Sequence, residues 1–501
     1  MRNPLNRWRG DPTLQLHNMS KTGNNTSVGV SSEIGALRRV LIHSPDRGLG
    51  KVIPSKAQDW LFEDIVHLDT MRRKEYDYYV MLLLWFLDPD KIKGHTHRLL
   101  ADEERGFFKP GHRDYFNSPN VVEFEVLLAG ILHDKTIRLK LTSSICGIER
   151  CSYKTQEYLD TFDAAELARI FISGTLPDRT MLFAPLPNLI FTRDIGIVIN
   201  RHILLSKPAT SVRTRESLLA QYIFFNHSYF NRHVPEILEL PDNPGPFLLP
   251  DEKYASEYYR STLEGGDVMM VSPQHLLIGY SQRTSLYAVQ QAIAVLFEKG
   301  IVEKITVIRI PKKRDYMHID TIFTQVRKNV WVLLKSLGRH SDRQKKKDVL
   351  HFFAGKQIEE ELEILQFEAD SDMPVRIDNL EDLLQEISLK DLGGDEPVKF
   401  IYSGMGEFPY SDREQWTDSC NLLAIREGVV LGYDRNDMTS EAFRQAGFEV
   451  TDAGTLLLEF ESGSRTPDSL KDTLIRIPSA ELSRARGGFH CMSLPLLREQ
   501  L

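Results

Sequence analysis

A repeated hairpin constrains this chain more than any other feature. An apolar run, a two-residue polar break, a second apolar run and a helix-like stretch recur along it. The first copy is Asp194-IGIVINRHILLS-Lys207, followed by Glu216-SLLAQYIFF; the second is Asp267-VMMVSPQHLLIGYS, followed by Leu286-YAVQQAIAVLFEKG. Asp320-TIFTQVRKNVWVLLKS is a third, Asn421-LLAIREGVVLGYDRN with Ser440-EAFRQAGF a fourth, and Leu37-RRVLIHSP has the form of a partial fifth. The breaks at Asn200-Arg201, Pro273-Gln274, Lys328-Asn329 and Glu427-Gly428 read as hairpin turns, and the Val/Ile/Leu-rich runs as buried strands. Leu286, Val289, Ile293, Leu296 and Phe297 fall on one helical face, with Ser285 suited to cap that helix and Gly300 to end it. Further strands follow some helices, at Lys304-ITVIRI and Phe448-EVTDAG. The unit is strand, strand, helix, strand, repeated around a centre: an α/β architecture.

Two stretches depart from this unit. Residues 60–180, with Tyr76-DYYVMLLLWFL and Ala164-AELARIFI, are expected to be an inserted helical subdomain. Residues 337–398 are charge-rich, with the lysine run at 345–347, and are expected to be a partly ordered insertion in which Leu380, Leu383, Leu384 and Ile387 form a helical stripe. Residues 1–30 read as a disordered N-terminal extension, with Met19 an alternative start, ahead of an α/β catalytic body over 31–501. No apolar run approaches the ~20 residues of a membrane helix, and the N-terminus lacks the apolar core of a secretory signal. A net charge of -8 does not suit a phosphate-backbone partner and favours a cationic ligand. Four cysteines are too few for a disulfide framework. The expectation is a cytoplasmic protein with neither nucleic-acid nor membrane partner.

Asp194, Asp267 and Asp320 each stand at the entrance of a first hairpin strand, so they converge if the units surround an axis. His318 and Asp320, two apart, share a face if they lie on a strand. Glu264-Gly-Gly-Asp267 places two acids around a glycine pair that lets backbone approach a ligand closely. Cys491 follows two glycines and His490, with Arg486 near, surroundings that lower a thiol pKa and expose the sulfur. Cys420 reads as packing in a strand, and Cys146 and Cys151 lack a second ligand pair, so no metal site is assigned.

At these residues the sequence resembles the arginine deiminase family, within the guanidine-modifying enzymes. The segments that carry the resemblance are Ser32-Glu-Ile-Gly, Leu61-Phe-Glu-Asp-Ile, Pro187-Asn-Leu-Ile-Phe-Thr-Arg-Asp194, Glu264-Gly-Gly-Asp267, Met317-His-Ile-Asp-Thr, Gln415-Trp-Thr-Asp, Gly432-Tyr-Asp-Arg-Asn and Arg486-Gly-Gly-Phe-His-Cys-Met-Ser. The resemblance implies a five-bladed α/β propeller of pseudo-symmetric strand-strand-helix-strand repeats with a helical insertion, and a homo-oligomer. It implies Cys491 as nucleophile, His318 and Glu264 as proton carriers, and Asp194 and Asp320 as guanidinium ligands. Asn188, Arg213 and Arg283 would hold an α-carboxylate, with Arg215 close enough to compete with Arg213, and Arg486 would close the site. Asp267 would be structural. The implied reaction is hydrolysis of free L-arginine to citrulline and ammonia without metal or organic cofactor. An amidinotransferase, a methylated-arginine hydrolase and a non-catalytic arginine binder are the alternatives. Phe489 stands where family members commonly carry glycine or proline, and Ile195-Gly196 where more polar residues are expected, so a narrowed channel is anticipated beside the nucleophile.

Overall fold

The computed structural model describes residues 28–57, 59–62, 64–241, 261–313, 315–338, 362–371 and 373–501, and in it the repeated runs become strands of five separate sheets. Strand β1 (Leu37–Ile42) runs parallel to β2 (Val121–Glu123). Strands β3 (Gly196–Ile199) and β4 (His202–Leu205) form a hairpin, with β5 (Ile237–Leu238) parallel beside β4. Strands β6 (Val268–Ser272), β7 (His275–Tyr280) and β8 (Lys304–Arg309) repeat that arrangement. So do β9 (Phe323–Arg327) and β10 (Val330–Leu333), but their parallel partner comes later. Strands β11 (Glu363–Glu368) and β12 (Val375–Ile377) first extend the third sheet beyond β8, and then β13 (Lys399–Tyr402) joins β10. The fifth sheet takes β14 (Leu423–Arg426), β15 (Val429–Tyr433), β16 (Glu449–Asp452) and β17 (Thr473–Ile477) in the order β14-β15-β17-β16. Finally β18 (Leu494–Arg498) pairs antiparallel with β1.

Every sheet therefore has the same kernel, an antiparallel hairpin and then a parallel strand. In the sheet of β1 the hairpin partners come from opposite ends of the described chain, which explains why Leu37-RRVLIHSP reads as half a repeat. Asn200 at φ 50 and Gly428 at φ 77 supply the left-handed backbone that two of the tight turns use. A parallel neighbour needs a crossover, and helices provide it: Thr214–Asn226 between β4 and β5, and Leu286–Glu298 between β7 and β8. The second begins where expected, with Ser285 Oγ accepting from Ala288 N–H at 3.2 Å. Its fully buried line is Ala288, Val289, Ala292 and Leu296, with Ile293 and Phe297 flanking it. The small alanines let the helix sit close to its sheet.

The departures from the repeat are more integrated than their composition implies. Residues 60–180 are largely helical, including Asp77–Leu87, Phe124–Ile131, Lys135–Ile148 and Ala164–Ser173, but β2 lies among them and continues the sheet of β1. Only three residues long, β2 carries too short an apolar run to stand out between helices. In 337–398, β11 pairs along its whole length with β8, and Leu380, Leu383, Leu384 and Ile387 are fully buried. The lysine run and most of the N-terminal extension lie outside the described residues. Among the described residues no helix is long and apolar enough to cross a membrane.

Candidate functional site

The turn entering the first hairpin strand of each sheet carries a polar residue to one place. Asp194 sits on the short 3-10 turn Thr192–Ile195 before β3, and Glu264 immediately precedes the turn Gly265–Asp267 before β6. His318 and Asp320 flank and occupy the turn Ile319–Thr321 before β9, so they share a turn and not the strand face expected from their spacing. Asn421 enters β14, and Cys491 precedes β18. Tight turns of this kind point successive side chains in different directions, which lets one loop serve both the cavity and its supports.

A cavity of about 30 Å3 lies at the convergence, and Asn188, Asp194, Arg213, Glu264, Arg283, His318, Arg486 and Cys491 all line it. Asp320 lies against the nucleophile candidate: Cys491 Sγ donates to Asp320 Oδ2 at 3.4 Å. The other oxygen, Oδ1, is buried without a hydrogen-bond partner among the described residues. Across the cavity His318 Nε2 meets Glu264 Oε2 at 3.0 Å. Gly266 makes room for this imidazole, since a Cβ there would stand 2.4 Å from His318 Nδ1. Asp267 turns away from the cavity, accepting from Ser281 Oγ at 2.5 Å and from Ile319 N–H at 3.1 Å, so it ties two of the site's turns together.

The electrostatics are dominated by buried acids. Burial opposes the imidazolium of His318, but Asp194, Asp267 and Glu264 outweigh it and hold the group up at about 10. Burial raises the Cys491 thiol well above its ordinary range, and Asp320, Asp194 and Asp418 push the same way. This reverses the expectation of a thiol acidified by His490 and Arg486. His490 points away, its Nδ1 on Asp320 Oδ2 at 2.9 Å and its Nε2 on Glu33 Oε2 at 3.2 Å. Arg486 lies with its guanidinium carbon 3.5 Å from the centre of the Trp416 ring. The sulfur itself sits among carboxylates and stays protonated, a local environment that a cation bound beside it would convert.

Arg213 is already such a cation. Its Nη1 lies 2.9 Å from Asp194 Oδ2 and 3.4 Å from Glu264 Oε2, and its Nε 2.9 Å from Glu216 Oε2. It therefore grips the acidic end of the cavity and is not poised there for a substrate carboxylate. Arg215, the competitor, is excluded: it pairs with Glu149 and lies over the Phe183 ring at 4.5 Å, outside the cavity. Asp194, Glu264 and His318 also offer ligand atoms within 4.8 Å of one another, the geometry of a cation site. The Arg213 guanidinium and the His318 imidazolium both meet that set, so the group reads as carboxylates balanced by organic cations.

Several supports escaped the sequence reading. Arg193 forks onto Glu33, with both contacts at 3.3 Å, and its backbone N–H donates to Cys491 O at 3.0 Å. Asn421 Oδ1 accepts from Cys491 N–H at 3.0 Å, while its Nδ2 donates to Asp320 O at 3.1 Å. Glu33, Arg193, His490 and Asn421 thus fix the backbone of Cys491 and the carboxylate beside it. Asn188 Nδ2 donates to the carbonyl of Trp60 at 2.8 Å, and the following Leu61, at φ 57, lines the cavity. The Leu61 segment is thereby placed as a wall of the site.

Phe489 does not narrow this cavity. It is fully buried on the other side of the turn, with ring centres 5.0 Å from Tyr79 and 4.9 Å from Tyr433. The ring holds the turn that carries Cys491 against the helix Asp77–Leu87. A Phe489→Ala variant is expected to lose about 3–5 kcal/mol of stability, read by denaturant unfolding, because a large side chain leaves a cavity there. Unchanged unfolding would mean that the Tyr79 and Tyr433 contacts contribute little.

With this geometry in hand, the family model described as arginine deiminase matches residues 165–498. The chain belongs to the arginine deiminase family. Among curated family relatives, the arginine deiminase of Borrelia garinii subsp. bavariensis is 28% identical over 483 residues, covering 95% of this chain and 98% of the relative. That of Bacillus cytotoxicus is 28% identical over 498 residues, covering 95% and 99%. Of the solved structures, SxtG, an amidinotransferase from Microseira wollei in the saxitoxin biosynthetic pathway, is 12% identical with a TM-score of 0.44, covering 95% of this chain and 98% of that one.

Proposed function

We propose that the protein hydrolyses free L-arginine to L-citrulline and ammonia through a covalent amidino-thioether on Cys491. The observation that carries this reading is the buried Cys491 thiol donating to Asp320, in a cavity it shares with Asp194 and the His318–Glu264 pair. Membership of the arginine deiminase family supports it. Substrate guanidinium is planar, permanently charged and rich in donors, matching two carboxylates better than any neutral amide would. Asp320 Oδ1 awaits such a donor, and Asp194 is released when Arg213 yields to the incoming cation. Arg213, freed, together with Arg283 and Asn188, then meets the α-carboxylate. Since about 30 Å3 is roughly one water's share of volume, entry requires the walls to move, with the Leu61 segment and Arg486 as gates.

The chemistry follows from the charges. A bound guanidinium offsets the acids that keep Cys491 protonated, so the thiol releases its proton to solvent as substrate enters and the thiolate forms when its electrophile is present. It attacks the central carbon, forming an S–C bond, and His318 gives its proton to the departing ammonia. Water then loses one proton to His318 and attacks the same carbon; as the carbonyl forms the S–C bond breaks, the hydroxyl proton passes to the departing sulfur, and citrulline leaves with Cys491 again a thiol. Glu264 keeps the imidazole charged before the first step and restores that charge after the second. In this reading the five sheets are the blades of a five-bladed propeller, 60–180 is its helical insertion, 337–398 an elaboration of one blade and 1–30 an extension. The protein works in the cytoplasm as a homo-oligomer. The test is product stoichiometry: L-arginine is expected to yield equal citrulline and ammonia without ornithine. Ornithine in place of citrulline would replace hydrolysis with amidino transfer, and no turnover would sink the reading.

A further inference from the structure

A second cavity, about 500 Å3, shares no lining residue with the one around Cys491. Its walls are the segment after β1, the turn Arg72–Tyr76, the loop around Lys109 and the helix Ala164–Ser173. Phe108, Ile170 and Ile172 give it an apolar floor. Most of its charges are spoken for: Lys109 pairs with Glu125 at 2.8 Å, Arg73 with Glu104 at 3.2 Å, Arg105 with Asp77 at 2.5 Å, and Asp46 with His43 at 3.3 Å. Arg47 and Arg72 differ. Neither has a carboxylate within ion-pair distance among the described residues, and the half-buried Arg72 donates only to the carbonyl of Pro45, at 2.6 Å. Among the described residues, Glu166 is the lining acid without such a pairing. Two guanidinium groups on one cavity wall, neither ion-paired among the described residues although Asp46 and Asp69 act on Arg72 from further off, are complementary to an anion. Arginine forks bind phosphate in two-point fashion, and the volume lies in the range of small-molecule sites.

We propose that this cavity is an effector site for a phosphate-bearing metabolite of nucleotide size, its phosphates on Arg47 and Arg72. The route to the catalytic turn is short. The turn bearing Arg72 runs directly into the helix whose Tyr79 packs on Phe489, and Phe489 precedes His490 and Cys491. Adenosine triphosphate, adenosine and inorganic phosphate are the probes, each titrated by calorimetry against the intact protein with saturating L-arginine analogue present and absent. Saturable triphosphate binding that the analogue does not displace is expected. It should weaken at least ~10-fold in Arg72→Gln and in the surface variant Arg47→Gln, which leaves basal turnover unchanged. In the wild type the triphosphate should alter kcat/KM for arginine at least ~5-fold, and in both variants it should not. Inorganic phosphate binding as tightly as the triphosphate would identify free phosphate as the ligand and overturn the nucleotide-sized assignment. Adenosine binding alone would overturn the role of the arginines. No binding, displacement by the analogue, equal binding in both variants, or binding with unchanged kcat/KM each overturns the proposal. A Cys491→Ala protein binds equally well, which keeps the binding result independent of the activity.

Discussion

Cys491→Ala is expected to abolish citrulline formation while leaving arginine binding in place. The loss should reach about five to six orders of magnitude in kcat, the scale on which removal of an activated nucleophile is felt in other hydrolases. The reason is that nothing else in the cavity can form the covalent bond: the remaining groups are carboxylates, an imidazole held charged and three arginines. Binding should persist because Asp194, Asp320, Arg283 and Asn188 do not depend on the sulfur. Two readouts separate the possibilities. Wild-type protein quenched in acid during turnover should carry an adduct on Cys491 by mass spectrometry, and the variant should not. Residual turnover within tenfold of wild type, without an adduct, would move the chemistry to direct water attack and remove Cys491 from its assigned role.

Where the sequence was informative, the reason is local. Hairpin turns and apolar strands are set by neighbouring residues, so Asn200-Arg201 and Lys328-Asn329 are read correctly from spacing alone. The repeat also brings its entering turns to one place: of the three acids read in register, Asp194 lines the cavity and Asp320 lies against Cys491, while Asp267 turns away to tie two turns together. What escaped depends on distant pairings. Glu33 meets Arg193 and His490 only because β18 closes on β1, and no spacing encodes those contacts. Phe489 and His490 misled for a related reason. Adjacency to Cys491 implies a channel narrowed by Phe489 and a thiol acidified by His490, yet in a turn neighbours diverge, and one faces core while the other faces buried acids. The expected acidified thiol failed because charge signs were counted along the chain, whereas in the fold Asp320, Asp194 and Asp418 surround the sulfur. Strands β11 and β12 were hidden by the charged composition around them, although Ile364 and Gln366 turn inward while Glu363, Leu365 and Phe367 are less buried.

Asp320→Asn should move two measurements in opposite directions. The carboxylate lies against Cys491 and, after burial itself, does most to hold the thiol protonated. Replacing it with an amide removes that charge, so the thiolate forms at lower pH. The pH profile of alkylation of the unliganded protein by a neutral reagent should therefore shift downward. Turnover should nevertheless fall, by about two to three orders of magnitude in kcat/KM, because a buried guanidinium loses one of its two carboxylates at a cost of ~3–5 kcal/mol. Asparagine still offers an oxygen to His490 Nδ1, so the support beneath the nucleophile turn is retained and unfolding is not the expected cause. The combination is diagnostic. A thiol that becomes easier to alkylate in an enzyme that becomes slower means that Asp320 serves the substrate cation and not the activation of sulfur. If alkylation instead shifts to higher pH while turnover falls, Asp320 would be the base that takes the thiol proton. The substrate-driven deprotonation derived from this cavity would then be wrong.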